Sequence, residues 1–275
     1  MLTRLEIAAI GFRLETSPGL ALRIAHHYAE FCRGTSTDPT IGFRLHARGL
    51  PQRATPGPEE FWSARLDAGD GRRLRLEGDV RGRLDLDTRT GAIAGRDGLA
   101  AADTLVRLAL SSAAAECGWL LLHGAAIAAD GGGWVLVLGQ SGAGKSTAAA
   151  AFESFCDEWV FLRPAPAGAE CASTPYWRGR PGRAECRAVV CLERGEPAVF
   201  ARVAGAAALA ALSHHVVRFA PLRGQDERML ELLAAIAAAV PVHRAACPSG
   251  GRYLPFLRNR LEGAGVAPSM KPVAA

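Results

Sequence analysis

The stretch Gly139-Gln-Ser-Gly-Ala-Gly-Lys-Ser146 constrains this chain more than any other. It satisfies G-x-x-x-x-G-K-[ST] at every position. The motif needs a strand before it and a helix after it, so that successive backbone amides converge on one anion. Both flanks are legible: Trp134–Leu138 is an apolar strand and Ser146–Phe155 a helix-forming run. Gly139, Gly142 and Gly144 let the backbone wrap a phosphate without Cβ clashes. The loop and its exit, including Ser141, Ala143 and Thr147, therefore predict a nucleoside triphosphate site. Lys145 is the compact cation expected to reach the β- and γ-phosphates, and the Ser146 hydroxyl is the expected Mg²⁺ ligand.

Upstream, Trp119–Ile127 reads as a strand and Asp130-Gly-Gly-Gly133 as a tight turn before Trp134. A turn that short joins antiparallel strands, because a parallel crossover takes about a dozen residues or more. His123 then lies on the strand beside the loop, either as a neighbour of the phosphates or as a packed core histidine. Downstream, Asp157-Glu158 leads the apolar strand Trp159–Leu162. Paired carboxylates there have two natural tasks, holding Mg²⁺ and taking a proton from an attacking hydroxyl. An exposed acidic turn is the other reading.

The 275 residues suit one large domain or two small ones. With 49% hydrophobic and 21% charged residues, a sizeable core is available and global disorder is excluded. The formal charge is +5, yet only Lys145 and Lys271 among 32 basic residues are lysines. Such a bias reflects coding composition and weakens any argument from basicity to nucleic acid; none is expected as a partner. The seven cysteines form no CxxC pair and no zinc spacing, and read as free thiols of a cytoplasmic protein. No signal peptide and no membrane span is read.

Residues 1–100 read as a β-rich N-terminal domain, 101–258 as the nucleotide-binding domain, and 259–275 as a frayed tail. Within the first, Leu2–Leu14 and Ile41–Leu50 are strand-like, Pro18–Cys32 helical and Pro51–Glu60 a loop. Phe61–Leu66, Arg73–Glu77 and Leu84–Leu86 suggest an antiparallel meander with one wet face, turning at residues 67–71. Its arginines, Arg72, Arg73, Arg75, Arg81 and Arg83, read as that solvated face, with a polyanion patch as the alternative. Leu99–Trp119 reads as a helix ending near Gly118.

Taken together, His123-Gly124, a short hairpin, the Gly139–Ser146 loop and the Asp157-Glu158 pair resemble the HPr kinase/phosphorylase family, including relatives found in lasso-peptide clusters. Ser173–Trp177 and Val240–Arg244 also look like segments of those relatives. The resemblance covers about residues 100–250. It implies an α/β P-loop fold similar to the nucleotide domain of phosphoenolpyruvate carboxykinases, behind a smaller β-rich domain. It implies a kinase that moves a phosphoryl group from ATP, or GTP, to a serine hydroxyl of a peptide or small protein. Ser146 and Asp157 would hold Mg²⁺, and Asp157, Glu158 and His123 would be the catalytic residues. HPr kinases assemble as oligomers, which leaves a homo-oligomer open; no membrane partner is implied.

Two features depart from the family pattern. Glu158 stands where the family has Asp, and the pair begins only 12 residues after Lys145. Either a shorter helix or loop absorbs the difference or the carboxylates miss the phosphates. Two other readings stay open: a nucleotide-binding or hydrolysing module without kinase activity, and a nucleic-acid-linked P-loop NTPase.

Overall fold

The computed structural model describes residues 1–32, 41–49, 63–66, 72–78, 80–176, 179–222, 224–248 and 252–271. The loop expected at 51–60, the turn at 67–71, and Leu50, Phe61, Trp62 and Trp177 lie outside these residues. The chain divides into two units, Met1–Cys117 with Arg218–Arg228, and Gly118–Val217 with Met229–Ala275.

In the first unit, Leu2–Leu14 is not one strand but a hairpin of β1 (Leu2–Ile7) and β2 (Ile10–Glu15). Ala8 and Ala9 form its two-residue turn with φ of +49° and +68°. This mirror-image turn matches the strand twist but asks two alanines to adopt left-handed backbone. Helix α1 (Pro18–His27) starts on a proline, whose fixed φ suits the first helical position. It buries Leu20, Ala21 and Ile24.

The sheet continues with β3 (Ile41–Gly49), β4 (Ser63–Leu66), β5 (Arg73–Glu77), β6 (Val80–Asp85) and β7 (Thr90–Gly95). Its order is β1-β2-β3-β7-β6-β5-β4, with β3 parallel to both β2 and β7 and the meander antiparallel. Strict alternation makes one face apolar, with Phe12, Leu14, Phe43, Leu45, Leu74 and Leu84 all buried. Helix α2 (Gly98–Ala113) is capped by Asp97, which accepts from the Leu99 amide at 2.9 Å. It packs on β3 and β7, so a helix that a boundary at residue 100 gives to the second domain belongs to the first unit.

The second unit holds β8 (Leu120–Ala128), β9 (Trp134–Gly139), α3 (Lys145–Ala151), β10 (Ser154–Cys156), β11 (Trp159–Ala165), β12 (Gly168–Ser173) and β13 (Arg183–Arg194). It continues with β14 (Val199–Val203), α4 (Gly205–Ser213), residues from Met229 onward of α5 (Gln225–Ala239), β15 (Val242–Cys247) and α6 (Tyr253–Gly263). Strand β8 pairs with β11, β11 with β12, β12 with β13, β13 with β9, and β9 again with β8. The ring is a closed five-stranded barrel.

This corrects the α/β P-loop fold expected from the sequence. The unit is a mixed, sheet-rich structure in which only β9, β13 and β15 run parallel among the described residues. The cause is local. Asp130–Gly133 and Ala165–Gly168 are hairpin connections, and connections that short enforce antiparallel neighbours. Strand β13 is 12 residues long, enough to pair first with β12 and then with β9 and β15, which closes the ring. Closure leaves β8, β9 and β13 no free edge within the barrel.

Two further expectations change. The helix after the loop ends at Ala151 rather than Phe155, and the segment beyond it becomes β10 on the edge of β8. Residues 259–271, expected as part of a frayed tail, are held by packing and hydrogen bonds. Helix α6 buries Tyr253, Leu257 and Leu261. The Asp130 amide then donates to Ala267 O at 2.8 Å, Ser269 N to Ala128 O at 2.9 Å, and Glu153 N to Ser269 O at 2.9 Å. Replacing Ala8 by Asn together with Ala9 by Gly should raise stability by about 1 kcal/mol, since these residues tolerate left-handed backbone better. A urea midpoint that does not rise would show that the turn carries no strain.

Candidate functional site

The site is assembled by the register of β8. Gly124 lies opposite Leu138 of β9 on one side, and His123 opposite Trp159 of β11 on the other. The Gly139–Ser146 loop leaves directly from Leu138, and Asp157-Glu158 leads directly into Trp159. Because β11 covers the first half of β8 and β9 the second, both meet β8 at its middle, at His123-Gly124. The Gly124 amide donates to Glu158 O at 3.0 Å, fixing the second acid's backbone. Gly124 itself cannot carry a side chain, because a Cβ would come within 2.4 Å of Leu138 Cδ2 and 2.9 Å of Val137 O. The HG dipeptide is thus a close-packing requirement beside a polar ring.

The loop is shaped by its glycines. Gly142 and Gly144 have φ of +77° and +114°. A Cβ on Gly139 would meet Ala143 Cβ at 2.9 Å, and one on Gly144 the Tyr253 ring at 3.0 Å. Tyr253 also donates its hydroxyl to Gly144 O at 3.0 Å. Lys145 is 6% exposed, and its ammonium donates to Gly139 O at 2.7 Å and Gln140 O at 3.0 Å. Burial lowers its pKa, opposed by Asp157.

The short spacing after Lys145 brings the acids home. A helix of only two turns carries the chain back along β8. The Ser146 hydroxyl, Lys145 and Lys271 all lie near enough to Asp157 to favour its charged form. Its carboxyl is nevertheless raised above the usual range, because burial outweighs these groups and Glu158 adds to it. Asp157 Oδ1 is buried with no hydrogen-bond partner. Glu158 lies near enough to His123 to favour its charged form, yet burial and then Lys145 lower the His123 pKa overall. His123 is half-buried, so it is neither a bulk surface group nor a sealed core residue.

Among the described residues no group of three or more His, Cys, Asp or Glu side chains is arranged to hold a metal. A phosphate-bound Mg²⁺ asks for less, since it commonly takes one or two protein oxygens besides phosphate and water. The Ser146 hydroxyl and the orphaned Asp157 Oδ1 are hard oxygen donors of that kind, and the set fits.

Several neighbours carry no sequence signal. The loop borders a cavity of 700 Å³ shared with α4, the end of β13, His214 and His215. That volume lies in the range of small-molecule pockets. His215 O accepts from His123 N at 2.8 Å, and burial, then His214, His123 and Lys145, push the His215 pKa down to about 4. Arg194 of β13 reaches over the loop, its Nη2 lying 3.6 Å from where a Gly142 Cβ would be. Lys271 donates to Ala149 O at 2.8 Å, so it caps the last turn of α3. The two family-like segments have supporting roles. Thr174 Oγ1 is buried and donates to Trp159 O at 2.7 Å, steadying the chain next to Glu158. Arg244 forks onto Glu193 at 2.8 and 3.0 Å.

No family model matches this chain, and no curated protein does.

Because His215 is held neutral, stability depends on pH. Between pH 6.5 and about 4 the unfolded chain binds a proton that the folded chain refuses. The contribution of His215 to stability is therefore full above pH 6.5 and falls through that window on acidification. In His215→Gln the fall in urea midpoint from pH 7 to 4 should be shallower; an unchanged slope would show that His215 is not held neutral.

Proposed function

We propose that the protein transfers a phosphoryl group from ATP to a serine hydroxyl of a peptide or small protein, as the resemblance to HPr kinase-like proteins implies. The reading is carried by the convergence of the loop, Asp157, Glu158 and His123 at the middle of β8. The resemblance rests on this site and not on the fold.

In this reading the loop amides and Lys145 hold the β- and γ-phosphates, and Ser146 with Asp157 holds Mg²⁺. The cation, when bound, would neutralise charge on the phosphate oxygens. Glu158 takes the proton as the acceptor oxygen bonds to the γ-phosphorus and the bond to the β-phosphate oxygen breaks, leaving ADP. His123, kept neutral beside Glu158, orients that carboxylate. Most of the rate enhancement would come from alignment and charge neutralisation, since phosphoryl transfer needs little covalent help. The seven thiols, all free, suit a reducing cytosol.

Incubation with γ-labelled ATP and serine-containing peptides should label serine. Glu158→Gln should lower kcat by about 10²–10⁴-fold with ATP affinity kept, the range for losing a general base. Lys145→Ala should weaken ATP binding about tenfold or more, a loss of one charge-assisted phosphate contact. ATP that binds tightly and is split only by water would replace the kinase with a hydrolase. ATP affinity unchanged by Lys145→Ala would overturn the site itself.

A further inference from the structure

The face of the first unit's sheet opposite its buried apolar face is unusually basic for a set of paired strands. Arg4 lies opposite Arg13 and Arg13 opposite Arg44, while Arg75 lies opposite Arg83. All five are exposed. Like charges directly across a sheet destabilise it. A coding preference for arginine over lysine explains the residue type but not why basic residues repeatedly face one another.

The face also has a shape. Strand β7 contributes Ala92 and Ala94, flanked by His46 and Arg48 of β3 on one side and by Arg83 and Arg81 of β6 on the other. Two small residues between long ones make a trough along β7. Its walls stand two strand spacings apart, about 9–10 Å, the room an extended chain occupies. The associated cavity is 1150 Å³. Two carboxylates line it: Glu15, which His46 engages at 3.3 Å, and Glu77. Arg48, Arg81 and Arg83 meet no carboxylate among the described residues.

We propose that this trough binds an extended acidic polypeptide segment. In an extended chain, alternate side chains point the same way, so carboxylates at every second residue would meet the arginine walls. Arginine's planar fork suits carboxylates, pairing with both oxygens at once. A single-stranded nucleic acid fits less well, because among the described residues no Phe, Tyr or Trp lines the trough to stack on bases. Glu15 and Glu77 would also oppose a uniformly charged phosphate backbone, whereas a peptide can interleave its own neutral or basic residues.

The test is fluorescence anisotropy on the full chain without nucleotide, so that its outcome is independent of kinase activity. The probes are a fluorescein-labelled peptide of alternating Glu and Ser, its Gln-for-Glu counterpart, and a labelled oligothymidylate. The Glu peptide should bind in a salt-sensitive manner and the Gln peptide should not. Arg48→Glu with Arg81→Glu should weaken binding about tenfold or more, the loss of two charge-assisted contacts, without lowering the melting temperature. Ala92→Phe, which fills the trough and leaves the charge alone, should do the same. Arg187→Glu with Arg202→Glu, two exposed residues on strands of the second unit, should leave binding intact. Failure of the native chain to bind the Glu peptide would overturn the proposal. So would equal loss in the Arg187/Arg202 control, or tighter, trough-dependent binding of oligothymidylate.

Discussion

The pairing of β8 with β9 on one side and β11 on the other is the constraint on which the site depends. A strand has two edges, and β8 uses them to align two segments that the sequence keeps apart. Strand β9 covers the second half of β8 and β11 the first half, so the exit of β9 and the entrance to β11 meet at the middle of β8, at His123-Gly124. A one-residue slip in either register would turn His123 to the opposite face. The bare Cα of Gly124 lets β9 come close enough to hold that register.

Charge at the site is arranged against burial. Lys145 is nearly enclosed, held by two loop carbonyls and by the field of Asp157. Asp157 in turn sits among Ser146, Lys145 and Lys271, and burial still raises its carboxyl. An oxygen left buried without a partner costs free energy that neighbouring groups only partly offset. In the proposed reading, Asp157 Oδ1 is the oxygen a cation would satisfy. The chain's two lysines are not equivalent. One stands in the loop and the other caps the far end of the same short helix.

The loop and its acids are legible in the sequence because their chemistry forces residue type and spacing together. Glycines at 139, 142 and 144 meet backbone requirements that other residues fail. The hairpin before the loop is legible because a turn of that length has one outcome. The barrel is not, since closure depends on β13 changing partners along its length, and no spacing in the sequence encodes a partner. His215 and Arg194 reach the site through long-range packing, with nothing local to mark them. The end of the chain reads as frayed for a related reason. Residues 264–271 have no periodicity because they form no regular element, yet their backbone pairs with residues 128–130 and 151–153.

Sequence alone determined the glycine-rich loop with its lysine, the antiparallel hairpin that presents it, and an acidic pair at a definite distance downstream. Those are properties of local backbone geometry, settled within a few residues. Only the tertiary structure decided that the short helix returns the acids to the loop, that the sheet closes into a barrel, and that Lys271 is a cap and not part of a loose end. It also decided that arginines far apart in the chain share one trough. Each of these is a matter of register and edge pairing between distant segments, where the controlling quantity is packing complementarity across the fold.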